Sequence, residues 1–142
     1  MADDFRPAAL LRHTRSGAGD HLDLLLALRD PSSPDDRCAV GWRCTSAVHS
    51  LHPGGVASLE PTSLHRAFYL SLADSCELDG GRGRVEPLCR GRWRPQGACR
   101  AELAWSPHGA PWVVSFCGRD GRPVDPADAG SLSSASRLER LT

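Results

Sequence analysis

The sequence predicts a mainly β protein: a small closed or partly open β-barrel of about seven to eight strands with short helical pieces. Three observations carry this. Short apolar or alternating runs recur along the chain, separated by turns rich in Gly, Pro, Asp and Ser. No segment sustains the 3.6-residue period of an amphipathic helix. A chain of 142 residues, 40% hydrophobic, is long enough for one domain to bury a core without covalent staples.

The strands follow in order. PAALLRHTR (7–15) is the first and HLDLLLAL (21–28) the second, with SGAGD between them as a hairpin loop. In the second, Leu22, Leu24, Leu26 and Leu28 share one face, because side chains alternate along a strand. RCAVGWRC (37–44) comes after the turn-rich DPSSPDD, and a loop with HPGG leads to LHRAFYLSL (64–72). A helical turn is expected near 61–64. GRVEPLCRGRW (83–93), CRAELAWS (99–106) and PWVVSFC (111–117) complete the set. The division that follows is a barrel over 5–117 and a flexible tail over 118–142, because GRDGRPVDPADAGSLSSAS offers little to bury. Its end, SRLERL, is amphipathic enough to dock on the barrel. Trp42, Trp93, Trp105 and Trp112 fall on or at the start of strands and read as core. His49, His52 and His108 fall in loops and read as exposed.

Composition removes several classes. No run reaches the roughly 18 apolar residues of a spanning helix, so no membrane is expected. MADDFRPAAL carries acids where an export leader carries positive charge, so a cytoplasmic location is expected; a monomer is expected as well. None of the six cysteines forms C-x-x-C, which argues against a zinc ribbon or a thioredoxin-type motif. They read as reduced small hydrophobes, with a Cys99–Cys117 disulfide as the alternative. Net charge is zero, yet all 17 positive side chains are arginine. Six of them (82, 84, 90, 92, 94, 100) lie in 80–100 against the single acid Glu86. Such a cluster is either a solvated face or a phosphate-contacting surface.

Two constellations can carry chemistry. His21 and Asp23 share the second face of their strand, and hairpin pairing puts His13 beside them. Two imidazoles and a carboxylate suit manganese, iron or zinc and leave positions open for water and substrate. Alone, His-x-Asp reads more simply as two polar residues on a wet face. His65 and Tyr69 are four apart and, on a strand, share a face; a histidine and a phenol together can bind a phosphoryl group and protonate a leaving group. A surface histidine beside a core tyrosine is the plainer alternative. DGGRGRV (79–85) is a glycine turn first and a phosphate contact through its arginines second. It lacks the G-K-[ST] of a Walker loop.

In order along the chain, these pieces resemble the 3′-phosphoesterase domain of bacterial DNA ligase D, and more closely the small stand-alone proteins described as DNA polymerase ligase-like. The resemblance covers roughly 7–105. It implies a compact β-barrel with manganese-dependent trimming of DNA 3′ ends, removing a terminal ribonucleoside or a 3′-phosphate. It implies DNA or RNA–DNA 3′ ends as partners, with a separate ligase, polymerase or end-binding repair protein. Carried over through LLRH and HLDLLL, it makes His13, His21 and Asp23 the metal ligands. Through HRAFY it makes His65 the phosphate-contacting histidine and Tyr69 its companion. The step from His13 to His21 is eight residues, longer than in that family. Leu25 and Ala57 stand where phosphate-binding arginines are expected, and SCELD replaces the usual acidic-glycine step before GGRG. Arg66, Arg82 and Arg84 are the candidate substitutes. A binding module that holds DNA ends without cleaving them, and an iron-dependent oxygenase using the same two histidines and carboxylate, are the other readings.

Overall fold

The computed structural model describes residues 4–15, 19–105 and 109–142. Residues 16–18 of the SGAGD loop, and 106–108 with the expected exposed His108, lie outside the described residues. The chain is an antiparallel barrel, as its alternating sequence predicts. The strands are β1 (Arg6–Arg15), β2 (Gly19–Ala27), β3 (Ala39–Cys44), β4 (Val56–Pro61), β5 (Cys76–Leu78), β6 (Gly83–Gly97), β7 (Arg100–Trp105), β8 (Trp112–Cys117) and β9 (Arg137–Arg140). They pair in the order β1-β2-β3-β4-β9-β8-β7-β6, and β1 closes the ring by pairing with β6. Eight strands form the closed barrel, and β5 is an extra strand on the start of β6. Closure leaves no long unpaired edge in the ring.

Alternation decides what lies inside. Ala8, Leu10, Leu24, Leu26, Val40, Trp42, Trp93, Leu103, Val114 and Phe116 fill the interior. Trp42 stacks on Phe116 at 5.7 Å between ring centroids, and Trp93 Nε1 donates to the Ala27 carbonyl at 2.8 Å. The opposite faces of β1 to β3 are also buried. Ala9, Leu11, Leu25, Ala27 and Ala39 form a second cluster with Ala67, Leu70, Leu72 and Val85. β1 and β2 are therefore apolar on both faces along their inner half, and their polar residues begin where the outer cover ends.

Several expectations change here. The segment 64–72 is not a strand. His65 makes an isolated bridge with Ala39, and Ala67–Leu70 is a 3-10 turn laid across the outside of the barrel. Ala67 and Leu70, three apart, are buried there, which is the spacing of a 3-10 turn rather than of a strand. The turn expected near 61–64 is instead the end of β4 and extended chain. The tail read as flexible over 118–142 is part of the barrel. Asp128 caps a short helix, α1 (Ala129–Ser133), accepting from the Gly130 and Ser131 amides. β9 pairs with both β4 and β8. Leu132, Ala135 and Leu138 are all fully buried, so this segment closes the ring rather than decorating it. All six cysteines are free thiols, Cys99 and Cys117 included.

Candidate metal centre

The β1–β2 hairpin sets the geometry. Its register places His13 opposite His21 and Leu11 opposite Asp23. Directly opposed residues on one face are cross-strand neighbours, so the two histidines meet. His13 Nδ1 lies 3.2 Å from His21 Nε2, and His21 Nε2 lies 3.4 Å from Asp23 Oδ2. The three donor atoms fall within 4.8 Å of one another. Ligands at about 2.1 Å from one cation sit roughly 3 Å apart, so the 3.2 and 3.4 Å separations match adjacent positions around a single ion.

A second contact fixes the histidine that leads this group. His13 Nε2 lies 2.7 Å from the Arg82 carbonyl. A carbonyl only accepts, so Nε2 carries the hydrogen and Nδ1 turns its lone pair toward His21 and Asp23. Metal-binding histidines are commonly oriented by such a bond to a backbone carbonyl. The turn 79–85 makes the bond possible. Gly80, Gly81 and Gly83 have φ of 69°, 70° and 96°. At Gly83 a Cβ would stand 2.1 Å from the Thr14 carbonyl. Only glycine lets this turn press against β1, so the glycines act on the site through the backbone.

Asp23 is the one buried charged side chain among the described residues, 9% exposed. Burial pushes its carboxyl upward against the pull of His21, His65, His13 and Arg43. Burial also holds His21 below the usual histidine range, against the attraction of Asp23. Both groups are thus biased toward their neutral forms, and a divalent cation is the charge that would ionise Asp23 in place. The donor set, its spacing and this buried carboxyl all fit a bound metal.

The group borders a cavity of about 720 Å³ on the outer wall of the barrel. His13 and Asp23 line it, as do His65, Tyr69, Arg66 and Arg82. His65 is pinned by reciprocal backbone bonds with Ala39, at 2.8 and 3.2 Å. Its ring lies over Gly41, where a Cβ would come within 2.7 Å of Nδ1. That Nδ1 is buried near the Ser63 backbone without a well-formed hydrogen bond. Burial lowers the His65 pKa, with Asp23 opposing, so the ring is neutral near pH 7. Its centroid is 6.2 Å from the Tyr69 ring, edge to face. Arg66 donates toward the Tyr69 hydroxyl at 3.5 Å and pairs with Asp35 at 3.2 Å.

Of the arginines expected at phosphate, Arg66 and Arg82 line the cavity, and Arg84 does not; it donates to Ser75 Oγ at 2.6 Å. The rest of the 80–100 cluster is largely engaged elsewhere. Arg90 holds the Ser71 and Leu72 carbonyls, Arg92 covers Phe5, and Arg94 pairs with Asp4 and Glu102. Two cavity arginines escaped the sequence reading. Arg15 follows His13 by two residues, so alternation alone puts it on the His13 face. Arg37 lies two residues before Ala39, so the same alternation puts it on the outer face with Gly41 and Arg43, and there it donates to the Leu64 carbonyl at 3.4 Å. Neither has a carboxylate partner among the described residues. His49 is half-buried against Trp105 rather than exposed, whereas His52 is exposed.

Fold and site together define an eight-stranded antiparallel barrel with one added strand and a candidate metal centre on its outer wall. Against models of protein families, curated proteins and solved structures, the chain has no match.

Proposed function

We propose that this protein is a metal-dependent phosphoesterase acting on the 3′ ends of DNA strands, removing a terminal ribonucleoside or a 3′-phosphate as part of strand-break repair. One observation carries the reading: a two-histidine, one-carboxylate group opens onto a cavity whose other walls bring His65, Tyr69 and four arginines. The resemblance of the ordered motifs to the ligase D phosphoesterase domain, which rests on the same residues, points the same way.

In this reading His13, His21 and Asp23 hold manganese. When bound, the ion neutralises phosphoryl charge and lowers the pKa of a coordinated water. The chain's own groups do the rest. Arg15, Arg37, Arg66 and Arg82 pair with phosphate oxygens. Neutral His65 donates a hydrogen bond to a phosphoryl oxygen and steadies the charge that grows there in the transition state. Tyr69 orients the phosphate by its hydroxyl. For a terminal ribonucleoside, water adds to phosphorus and the bond to the nucleoside 5′ oxygen breaks. That oxygen leaves protonated, and a 3′-phosphate remains on the strand. A second water attack releases inorganic phosphate and leaves a 3′ hydroxyl.

The test is manganese-dependent release of ribonucleoside or phosphate from a primer–template, with His21→Ala alongside. Loss of release by about two orders of magnitude or more in the variant is the expected result. A rival reading is a binding module that recognises DNA ends without cleaving them. It is favoured by Leu25 and Ala57, which are fully buried where phosphate-binding arginines would stand in the resembled family. DNA binding indifferent to His21→Ala, with no release under any divalent metal, establishes the rival and ends the enzyme reading.

A further inference from the structure

The metal group has two sides, and they differ. His13 and Asp23 face the cavity of about 720 Å³. His21 lines a separate, shallower depression of about 580 Å³ with Arg12, Asp20, Arg43 and Thr45. Register explains why Arg43 is there: it sits opposite Asp23 on β3, as Gly41 sits opposite Leu25. Alternation puts Gly41 and Arg43 on the outer face while Trp42 points inward.

Charge separates the two sides. The cavity carries Arg15, Arg37, Arg66 and Arg82 against Asp23 and Asp79. In the depression Arg12 is already paired with Glu86 at 3.2 Å. Arg43 and Asp20 then nearly balance. An anion belongs in the first and an uncharged polar group in the second. Asp20, Arg43 and Thr45 make no side-chain hydrogen bond or ion pair among the described residues, so their polar atoms are open to a ligand. A carboxylate accepts from sugar hydroxyls, a threonine both donates and accepts, and a guanidinium stacks on a base or donates to it.

We infer that the substrate lies across the metal group, its phosphate in the arginine-lined cavity and the terminal ribonucleoside in the depression, so that Asp20, Arg43 and Thr45 form a leaving-group subsite. The inference rests on the phosphoesterase reading and narrows it: this site is built for a phosphodiester, and a terminal monoester uses only the cavity half. The bond that breaks joins phosphorus to the 5′ oxygen of the nucleoside held by the subsite. The attacking water supplies the new oxygen on phosphorus and the proton that the departing oxygen takes.

The experiment compares two primer–templates differing only at the end, one with a 3′-ribonucleoside and one with a 3′-phosphate, for wild type, Asp20→Asn and Thr45→Val. The expected result is a loss of about tenfold or more on the ribonucleoside in the variants, with 3′-phosphate release within about twofold of wild type. The manganese-induced rise in Tm should be the same in all three proteins, which keeps a lost metal site from mimicking the effect. Equal losses on both ends, no loss on either, or wild-type release of phosphate alone overturns the subsite and leaves the phosphoesterase reading standing. Wild type inactive on both ends overturns that reading and the subsite with it.

Discussion

At Gly41 a Cβ would stand 2.7 Å from His65 Nδ1 and 2.9 Å from Leu25 Cδ2. The histidine ring and the leucine both belong to packed surroundings, so neither can yield freely. Gly41→Ala should therefore displace His65 and lower 3′-end release by about tenfold or more, at a stability cost of roughly 1–3 kcal/mol. Manganese binding should survive, because His13, His21 and Asp23 do not touch the new methyl. Unchanged release, measured beside the manganese-induced rise in Tm, would remove His65 from the reaction. His65 also sets a pH dependence. Its folded pKa lies below the ordinary 6.5, so the unfolded chain binds the proton more readily than the folded one. Stability is full above about 6.5 and is lost as pH falls through that value toward the folded pKa. His21 acts in the same direction. Thermal melts of the metal-free protein at pH 7.5 and 5.5 should show a larger drop for wild type than for His65→Gln. Equal drops would mean that His65 is not buried as a neutral ring.

Elements show where the sequence was legible. Period two read the leucine face of β2 correctly and put His21 and Asp23 together on the other, but that second face also buries Leu25 and Ala27 under an outer cover that the period does not show. Leucines fill the interior, and the histidines and aspartate appear where the outer cover stops. The same rule misled at 64–72, where alternating apolar residues serve a 3-10 turn packed on the barrel's outside. His65 and Tyr69 still meet, but through that turn and the Ala39 bridge rather than along a strand face. β9 was hardest to see. RLER offers a single inward residue, Leu138, and its partners β4 and β8 come from distant parts of the chain. The strength of that strand lies in closure, which no short window contains. Leu138→Ala should thus cost about 2–5 kcal/mol by denaturant unfolding, as a core leucine does. A loss under about 0.5 kcal/mol would return 118–142 to the status of an appendage.

For the molecule as a whole, ring closure and the candidate metal centre lie on different arcs of the same barrel. β1, β2 and β3 carry the metal group and the floor under His65, while β9 bridges β4 and β8. A chain ending at Cys117 leaves β4 and β8 with bare edges and uncovers the interior that Leu132, Ala135 and Leu138 fill. Removing three fully buried apolar side chains and two strand pairings exceeds the few kcal/mol by which a domain of this size is stable. The truncated chain should therefore not fold cooperatively, and its melts should lose their transition. On the proposed reading, manganese couples to the same equilibrium from the other arc. A ligand bound only by the folded state stabilises it by about 2.7 kcal/mol at a hundredfold excess over its Kd. The full chain should accordingly melt higher with manganese, return to the metal-free Tm with a chelator, and show no rise in His21→Ala. If the truncated chain nonetheless shows a manganese-dependent melt, the hairpin β1–β2 holds its geometry without the closed ring. The barrel would then be a support for the site rather than the condition for it.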